Sequence, residues 1–241
     1  MSLNNIIHSL ETGMIPERYK RNMGTIGIDG QLKLLKSKVA VIGAGGLGGN
    51  VIELLARQGV GCLRIVDGDV FAEHNLNRQL LSTEGNLGQN KAKAAAARVK
   101  AVNSDIIVEA LPYMLDEKNS SAVLAGMDVV VDALDNLADR VLLAKAAQLR
   151  SIPMVHGAIA GFTGQVATIY PGDQKYENFI KVNYLSTGIE TVLGNPAATP
   201  AMAAAFQVQE VVKILTGIGE PLQQKILYFD TQFNIFEIVS Y

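Results

Sequence analysis

The stretch Lys38-Val39-Ala40-Val41-Ile42-Gly43-Ala44-Gly45-Gly46-Leu47-Gly48 decides the fold. Its first half is a short apolar, β-branched run, and its second half fits G-x-G-x-x-G where a helical period begins. Gly43, Gly45, Gly46 and Gly48 allow a tight turn and let backbone N–H groups approach a phosphate, while the helix N-terminus adds partial positive charge. Asp67 closes the next apolar run, where an acidic residue suits a ribose hydroxyl. The competing reading is that the glycines serve only close packing of helix on strand.

Working outward, strand-like runs at 38–42, 62–66, 105–111, 128–132 and 153–158 alternate with helical stretches at 47–58, 89–102, 117–125 and 137–150. That alternation predicts βαβ units and a Rossmann-like, doubly wound α/β sheet whose first half is parallel. Residues 1–37 read as a helical arm ahead of a nucleotide-binding part at 38–160. After Gly161 the run 164–170 follows too closely for a crossover helix, so the sheet is expected to turn mixed and antiparallel. Residues 171–196, with Pro171-Gly172-Asp173 and Gly194-Asn195-Pro196, read as a long loop expected to be poorly ordered without a ligand. A buried helix is expected over 199–215, and 225–229 with 233–239 form a closing hairpin. No repeat or linker interrupts the pattern, so 1–241 is read as one domain.

Composition agrees. A chain of 241 residues that is 49% hydrophobic and 18% charged can bury a large core. With 21 basic against 23 acidic residues it lacks the footprint of a nucleic-acid binder. A lone cysteine, Cys62, excludes a disulfide framework and a multi-thiolate zinc site, and suits a reducing compartment. Neither a signal peptide nor a membrane span is expected, which makes the cytoplasm the default. His8, His74 and His156 lie far apart and show no metal-ligand spacing.

Three features exceed what a dinucleotide pyrophosphate requires. Arg78, in Glu73-His74-Asn75-Leu76-Asn77-Arg78-Gln79, falls in a short polar segment expected at the carboxyl edge of the sheet, where ligands bind. Lys91 falls in the first turn of a helix opened by Gly88-Gln89-Asn90, where a cation opposes the macrodipole by ~0.3–1 kcal/mol. Either a bound anion offsets that small penalty or Lys91 is merely solvated. Asp132-Ala133-Leu134-Asp135-Asn136 follows the strand at 128–132, again at the ligand edge. Its carboxylates suit Mg²⁺, and Asp135 or Asn136 equally suits the cap of the next helix. Glycine loop, two cations and a metal ligand are together the parts for handling a triphosphate.

With these residues assembled, the chain resembles the ThiF/MoeB/HesA family, the bacterial relatives of the ubiquitin-activating enzymes. The resemblance runs through Arg18-Tyr19-Lys20-Arg21-Asn22, Val41 to Gly48, Gly59-Val60-Gly61, Asp67-x-Asp69, Asn75-Leu76-x-Arg78-Gln79, Gly88-Gln89-x-Lys91 and Asp132-x-x-Asp135-Asn136. It resumes at Gly164-Gln165-Val166 and Gln209-Glu210-Val211-Val212-Lys213. It implies adenylylation by ATP and Mg²⁺ of the C-terminal glycine carboxylate of a small ubiquitin-like sulfur-carrier protein, of the ThiS/MoaD kind ending in Gly-Gly, with release of pyrophosphate. It also implies a homodimer, a sulfur-donor protein, and a carrier-binding and closing part at 161–241. Asp67 would hold the ribose, Arg78 and Lys91 the phosphates, Asp135 the Mg²⁺, and Arg21 would reach the phosphates from the partner subunit. The resemblance implies that Asp69, Asn75 and Gln79 would belong to the same nucleotide site.

Two departures limit the transfer. Relatives that carry zinc do so on two C-x-x-C pairs, whereas Lys175-Tyr176-Glu177-Asn178 stands at the first and the second is missing, so no zinc is expected. Thr187 stands roughly where ThiF-like members carry a loop cysteine, and Cys62 opens a strand expected to be buried, so a covalent thiol step is not expected. Competing readings are adenylation of another carboxylate, on a peptide or a tRNA nucleoside, an NAD-dependent oxidoreductase, and a silent scaffold. An oxidoreductase leaves Arg21, Lys91 and Asp135 without a role.

Overall fold

The structure, a computed structural model, describes residues 2–173 and 193–240. Residues 175–178 and Thr187, and most of the segment expected as a loop over 171–196, lie outside the described residues. The element that decides the architecture is β1 (Lys38–Ile42), which sits inside an eight-stranded sheet. Val39 and Val41 pack into one hydrophobic cluster, and Ala40 and Ile42 into another on the opposite face. Period-two alternation with both faces apolar is the pattern of a strand covered by helices on both sides.

The remaining strands are β2 (Cys62–Val66), β3 (Ile107–Leu111), β4 (Val129–Asp132), β5 (Met154–Ala160), β6 (Thr163–Ile169), β7 (Lys225–Asp230) and β8 (Ile235–Ser240). Their order is β3-β2-β1-β4-β5-β6-β7-β8, parallel from β3 to β5 and antiparallel from there to β8. Sequence order reverses between β1 and β4, so the chain leaves those strands in opposite directions and opens a crevice at their carboxyl ends. The change to antiparallel pairing occurs where expected, across the turn at Gly161 and Phe162.

Around the sheet lie α1 (Leu3–Glu11), α2 (Met23–Lys36), α3 (Gly46–Gln58), α4 (Lys91–Val102), α5 (Ser120–Val123), α6 (Leu137–Leu149) and α7 (Ala198–Thr216). Leu55 of α3, Val99 of α4 and Val211 of α7 cover one face, and Leu143 and Ala147 of α6 cover the other. Two elements depart from the sequence reading. The helix expected over 117–125 is a single turn, α5, and the helix expected to be wholly buried, α7, leaves Ala205 and Gln209 exposed. Small residues on all sides of a helix permit burial without enforcing it. The N-terminal arm is tied down through Tyr19, which is fully buried with Ile6, Leu10 and Leu35. Among the described residues no helix is long and apolar enough to cross a membrane.

Candidate active site

The turns after β1 and β4 meet at the crevice. Gly43 adopts φ +97°, donates its N–H to the Val66 carbonyl at 2.8 Å, and leaves no room for a side chain, since a Cβ would stand 2.5 Å from the Ala133 carbonyl oxygen. Gly48 is equally constrained: its Cβ would fall 1.9 Å from the Gly43 carbonyl oxygen. Gly45 and Gly46 differ, because a Cβ there would meet Gln79 and Arg78 only at ordinary contact distances of 3.6 and 3.5 Å. The fold therefore demands Gly43 and Gly48 and does not demand the other two. Their bare backbone leaves space at the N-terminus of α3, the place for an anion.

Asp67 braces this loop from below. Its carboxylate accepts from Ala44 N–H at 2.7 Å and from Asp69 N–H at 2.8 Å. Burial pushes the Asp67 carboxyl above its ordinary value, against the pull of those two N–H groups and of Lys91. Lys91, at the first position of α4, is buried, and its Nζ lies 3.0 Å from Asp69 Oδ2. The anion that compensates its place on the helix dipole is supplied within the chain, and the solvated alternative is excluded by its burial. Asn90 holds the pair in place, capping Lys93 N–H with its Oδ1 and donating to the Asp67 and Asp69 carbonyls. Asn75 is buried and accepts from Ala72 N–H at 3.0 Å, closing the turn that carries Arg78. The Arg78 guanidinium donates to the His74 carbonyl and to Asn77 Oδ1, and Gln79 beside it keeps a buried Oε1 with no hydrogen-bond partner among the described residues.

The turn after β4 shows which residue caps the next helix. Asn136 is the N-cap of α6, its Oδ1 accepting from Asp139 N–H at 2.9 Å. Asp135 is exposed and enters no hydrogen bond among the described residues, so its carboxylate is available to a cation. Asp132 cannot act in the same way, being fully buried 2.7 Å from His156 Nδ1 and accepting from Leu134 N–H. Burial pushes its carboxyl up, but Arg140, His156 and the Leu134 N–H outweigh this and hold it below the ordinary value. Burial depresses His156, so the imidazole is neutral and donates through Nδ1.

A glycine loop, a buried lysine, a half-buried arginine and an unengaged carboxylate thus share one edge of the sheet, and residues 19–241 match the ThiF family. The chain belongs to the ThiF family. It is 39% identical over 235 residues to the SAMP-activating enzyme E1 of Haloferax volcanii, covering 93% of this chain and 85% of that one. It is 36% identical over 230 residues to the sulfur carrier protein adenylyltransferase of Thermus thermophilus, covering 89% and 83%. Against the adenylyltransferase and sulfurtransferase MOCS3 of Arabidopsis thaliana it is 36% identical over 243 residues, covering 96% of this chain and 52% of that protein. The chain thus spans most of the first two relatives and about half of the third. Among solved structures, that of PaaA superposes with a TM-score of 0.79 at 21% identity, covering 98% of this chain and 81% of PaaA. Escherichia coli MccB gives 0.78 at 22%, covering 93% and 69%. At such identities these two show the fold alone.

Other residues of this ThiF-family chain lie apart from the crevice. Arg21 is exposed in the six-residue 3-10 helix Glu17–Asn22, which is anchored at the far edge of the sheet. There Tyr19 packs over Gly59, which ends α3, and accepts from the side chain of Asn103, which ends α4. Cys62 is buried at the start of β2, and burial pushes its thiol up, away from the reactive thiolate. Sequence reasoning took Asp132 as a candidate Mg²⁺ carboxylate and His156 as isolated, and missed their association with each other and with Arg140. Its one signal is that Asp132 and His156 are polar residues in strands apolar on both faces, and they stand in register on β4 and β5.

Proposed function

We propose that the chain uses ATP to adenylylate the C-terminal carboxylate of a small ubiquitin-like sulfur-carrier protein. The observation that carries the reading is the meeting of the β1 and β4 turns, in which Gly43 and Gly48 of the glycine loop lie against Ala133, two residues before the exposed Asp135. The activities named for the Haloferax and Thermus relatives support the choice of a protein carboxylate over a dinucleotide.

On this reading the α3 N-terminus and Arg78 receive the phosphates, Asp67 receives the ribose, and Lys91, held by Asp69, faces the phosphate chain. Asp135, unengaged by any donor among the described residues, fits as the ligand of a Mg²⁺ that would neutralise charge on the triphosphate. A carboxylate oxygen of the carrier attacks the α-phosphorus, the bond from that phosphorus to its bridging oxygen breaks, and the electron pair departs with pyrophosphate. The product is a mixed anhydride of carrier and AMP. Charge accumulates on the phosphoryl oxygens during displacement, and fixed cations there act without reorganising. Arg21 is assigned to the site of a partner subunit, since its own lies at the other end of α3, 13 residues or about 20 Å away.

The test is thermal unfolding with ATP and Mg²⁺ against NAD and NADP, followed by ATP–pyrophosphate exchange with candidate carriers. Ligand at 100 times its Kd adds ~2.7 kcal/mol, a readily measured shift. Stabilisation by ATP and Mg²⁺ that disappears in Asp135→Ala is expected. Stabilisation by NAD or NADP alone overturns the reading.

A further inference from the structure

The turn that bears Asp135 is held by buried polar side chains. Asp132 Oδ1 accepts from Leu134 N–H at 3.1 Å, and Arg140 donates to the Leu134 carbonyl. The peptide groups on both sides of Leu134, the second of which leads directly to Asp135, are thus fixed by a carboxylate below and a guanidinium from α6. Asp132 is in turn oriented by His156 Nδ1 at 2.7 Å, while its own carbonyl accepts from the fully buried Gln207 at 2.8 Å. Asp132 and His156 are almost wholly excluded from water, and Arg140 is buried as well.

Burying the Asp132 carboxylate and the Arg140 guanidinium beside a neutral imidazole is a poor way to gain stability, because desolvating the ions offsets most of their attraction, and apolar residues of similar size would serve as well. The geometry of the trio answers a different need. A carboxylate that is to meet a metal must be held in one place before the metal arrives, and groups behind a ligand set both its orientation and its affinity. We propose that Asp132, His156 and Arg140 are positioning residues that aim Asp135 at the cation of the nucleotide. The inference rests on the assignment of Asp135 given above and extends it to residues that never touch the substrate.

The experiment compares Asp135→Ala, His156→Leu, His156→Asn and Arg140→Gln in the full chain. Binding of ATP is followed by calorimetry across a Mg²⁺ titration, and amide exchange is followed without nucleotide over residues 133–136. Asparagine places a donor near the position of Nδ1, so His156→Asn is expected to stay close to wild type in both readouts. His156→Leu and Arg140→Gln are expected to raise the half-saturating Mg²⁺ about tenfold or more and to release the Leu134 and Asp135 amides. A lowered melting temperature with unchanged Mg²⁺ dependence and unchanged local exchange would mean that the trio is structural only, and overturns the proposal. If Asp135→Ala shifts the Mg²⁺ dependence and the other variants do not, the positioning role alone falls. If Asp135→Ala leaves it unchanged, the reading of the site falls and takes the positioning role with it. Arg140→Gln, which leaves the Asp132–His156 contact in place, keeps the test decisive if His156→Leu does not fold.

Discussion

Lys91 Nζ stands 3.0 Å from Asp69 Oδ2, yet only the lysine is buried, since the Asp69 side chain remains 58% exposed. A screened pair of this kind contributes little to stability, and the lysine opposes the α4 dipole. Its removal should therefore separate binding from folding. Lys91→Met is expected to change unfolding stability in urea by less than about 1 kcal/mol. It should weaken ATP about tenfold or more, as the loss of a charged hydrogen bond to phosphate requires. Equal loss in both measurements would assign Lys91 to the fold.

Asp135 and Asn136 are adjacent and chemically alike, yet only Asn136 caps α6, while Asp135 is exposed. Asn136→Ala should lower stability by about 1 kcal/mol through loss of the α6 cap. Asp135→Ala should leave stability within about 0.5 kcal/mol of wild type, as expected for an exposed side chain, and should abolish ATP–pyrophosphate exchange. Urea titrations and exchange assays on both variants decide it, and the reverse pattern would return Asp135 to a capping role.

Much of this arrangement is legible in the chain because it depends on local pattern. The alternation of apolar runs and helical periods places β1 to β5, and the short gap at Gly161 forces the antiparallel turn of β6. Glycine spacing locates the crevice, but it cannot tell Gly43 and Gly48, which the fold needs, from Gly45 and Gly46, which it does not. That difference lies in the folded turn, where Ala133 closes on Gly43 from a distant strand and the Gly43 carbonyl closes on Gly48. The choice between Asp135 and Asn136 is hidden for a similar reason, since either side chain can cap and only the folded turn selects one. The Asp132–His156 pair comes from strand register, a tertiary property that no local pattern reports.

Gly45→Ala and Gly48→Ala test the division among the glycines. At Gly48 the new methyl would collide with backbone 1.9 Å away, so the loop or α3 must move and soluble folded protein should be lost. At Gly45 the neighbouring atom is Gln79 Nε2 at 3.6 Å, so the protein should fold. Binding of ATP should nonetheless fall, because the methyl occupies space that the phosphates need. A Gly45→Ala variant that binds ATP normally would remove the loop from the nucleotide site.

His156 supplies a pH signature. Its imidazole is depressed below the ordinary 6.5 by burial, against the pull of Asp132 and with a further push from Arg140. Between the folded value and 6.5 the unfolded chain binds a proton that the folded chain does not. Its contribution is therefore complete above pH 6.5 and declines as pH falls, by at most about 1.4 kcal/mol per pH unit for one proton. Asp132 acts in a lower window, contributing above 3.8 and losing its contribution as pH falls through its depressed folded value. Urea unfolding at pH 7.5, 6.5 and 5.5 should show stability falling with acidity, and His156→Asn should flatten that fall. An unchanged slope in the variant would mean that His156 does not titrate in this window.

Arg21 provides the last test, and its arithmetic is decisive. Tyr19 and Asn103 anchor the arm at the edge of the sheet opposite the glycine loop, so each subunit of a dimer would lend Arg21 to its partner's site. Arg21→Ala and Asp135→Ala homodimers are then both inactive. In a mixed dimer, the Arg21→Ala chain keeps Asp135 and receives a normal arginine from its partner, while the other site lacks both groups. Random mixing in equal amounts makes about half of the dimers mixed, each with one intact site, and so restores about a quarter of wild-type exchange. If Arg21 instead served its own chain, the Arg21→Ala subunit would lack its arginine and the Asp135→Ala subunit its carboxylate, and no site would be complete. Mixed dimers shown to form by mass spectrometry, with exchange no higher than in either parent, would return Arg21 to its own subunit or remove it from the reaction.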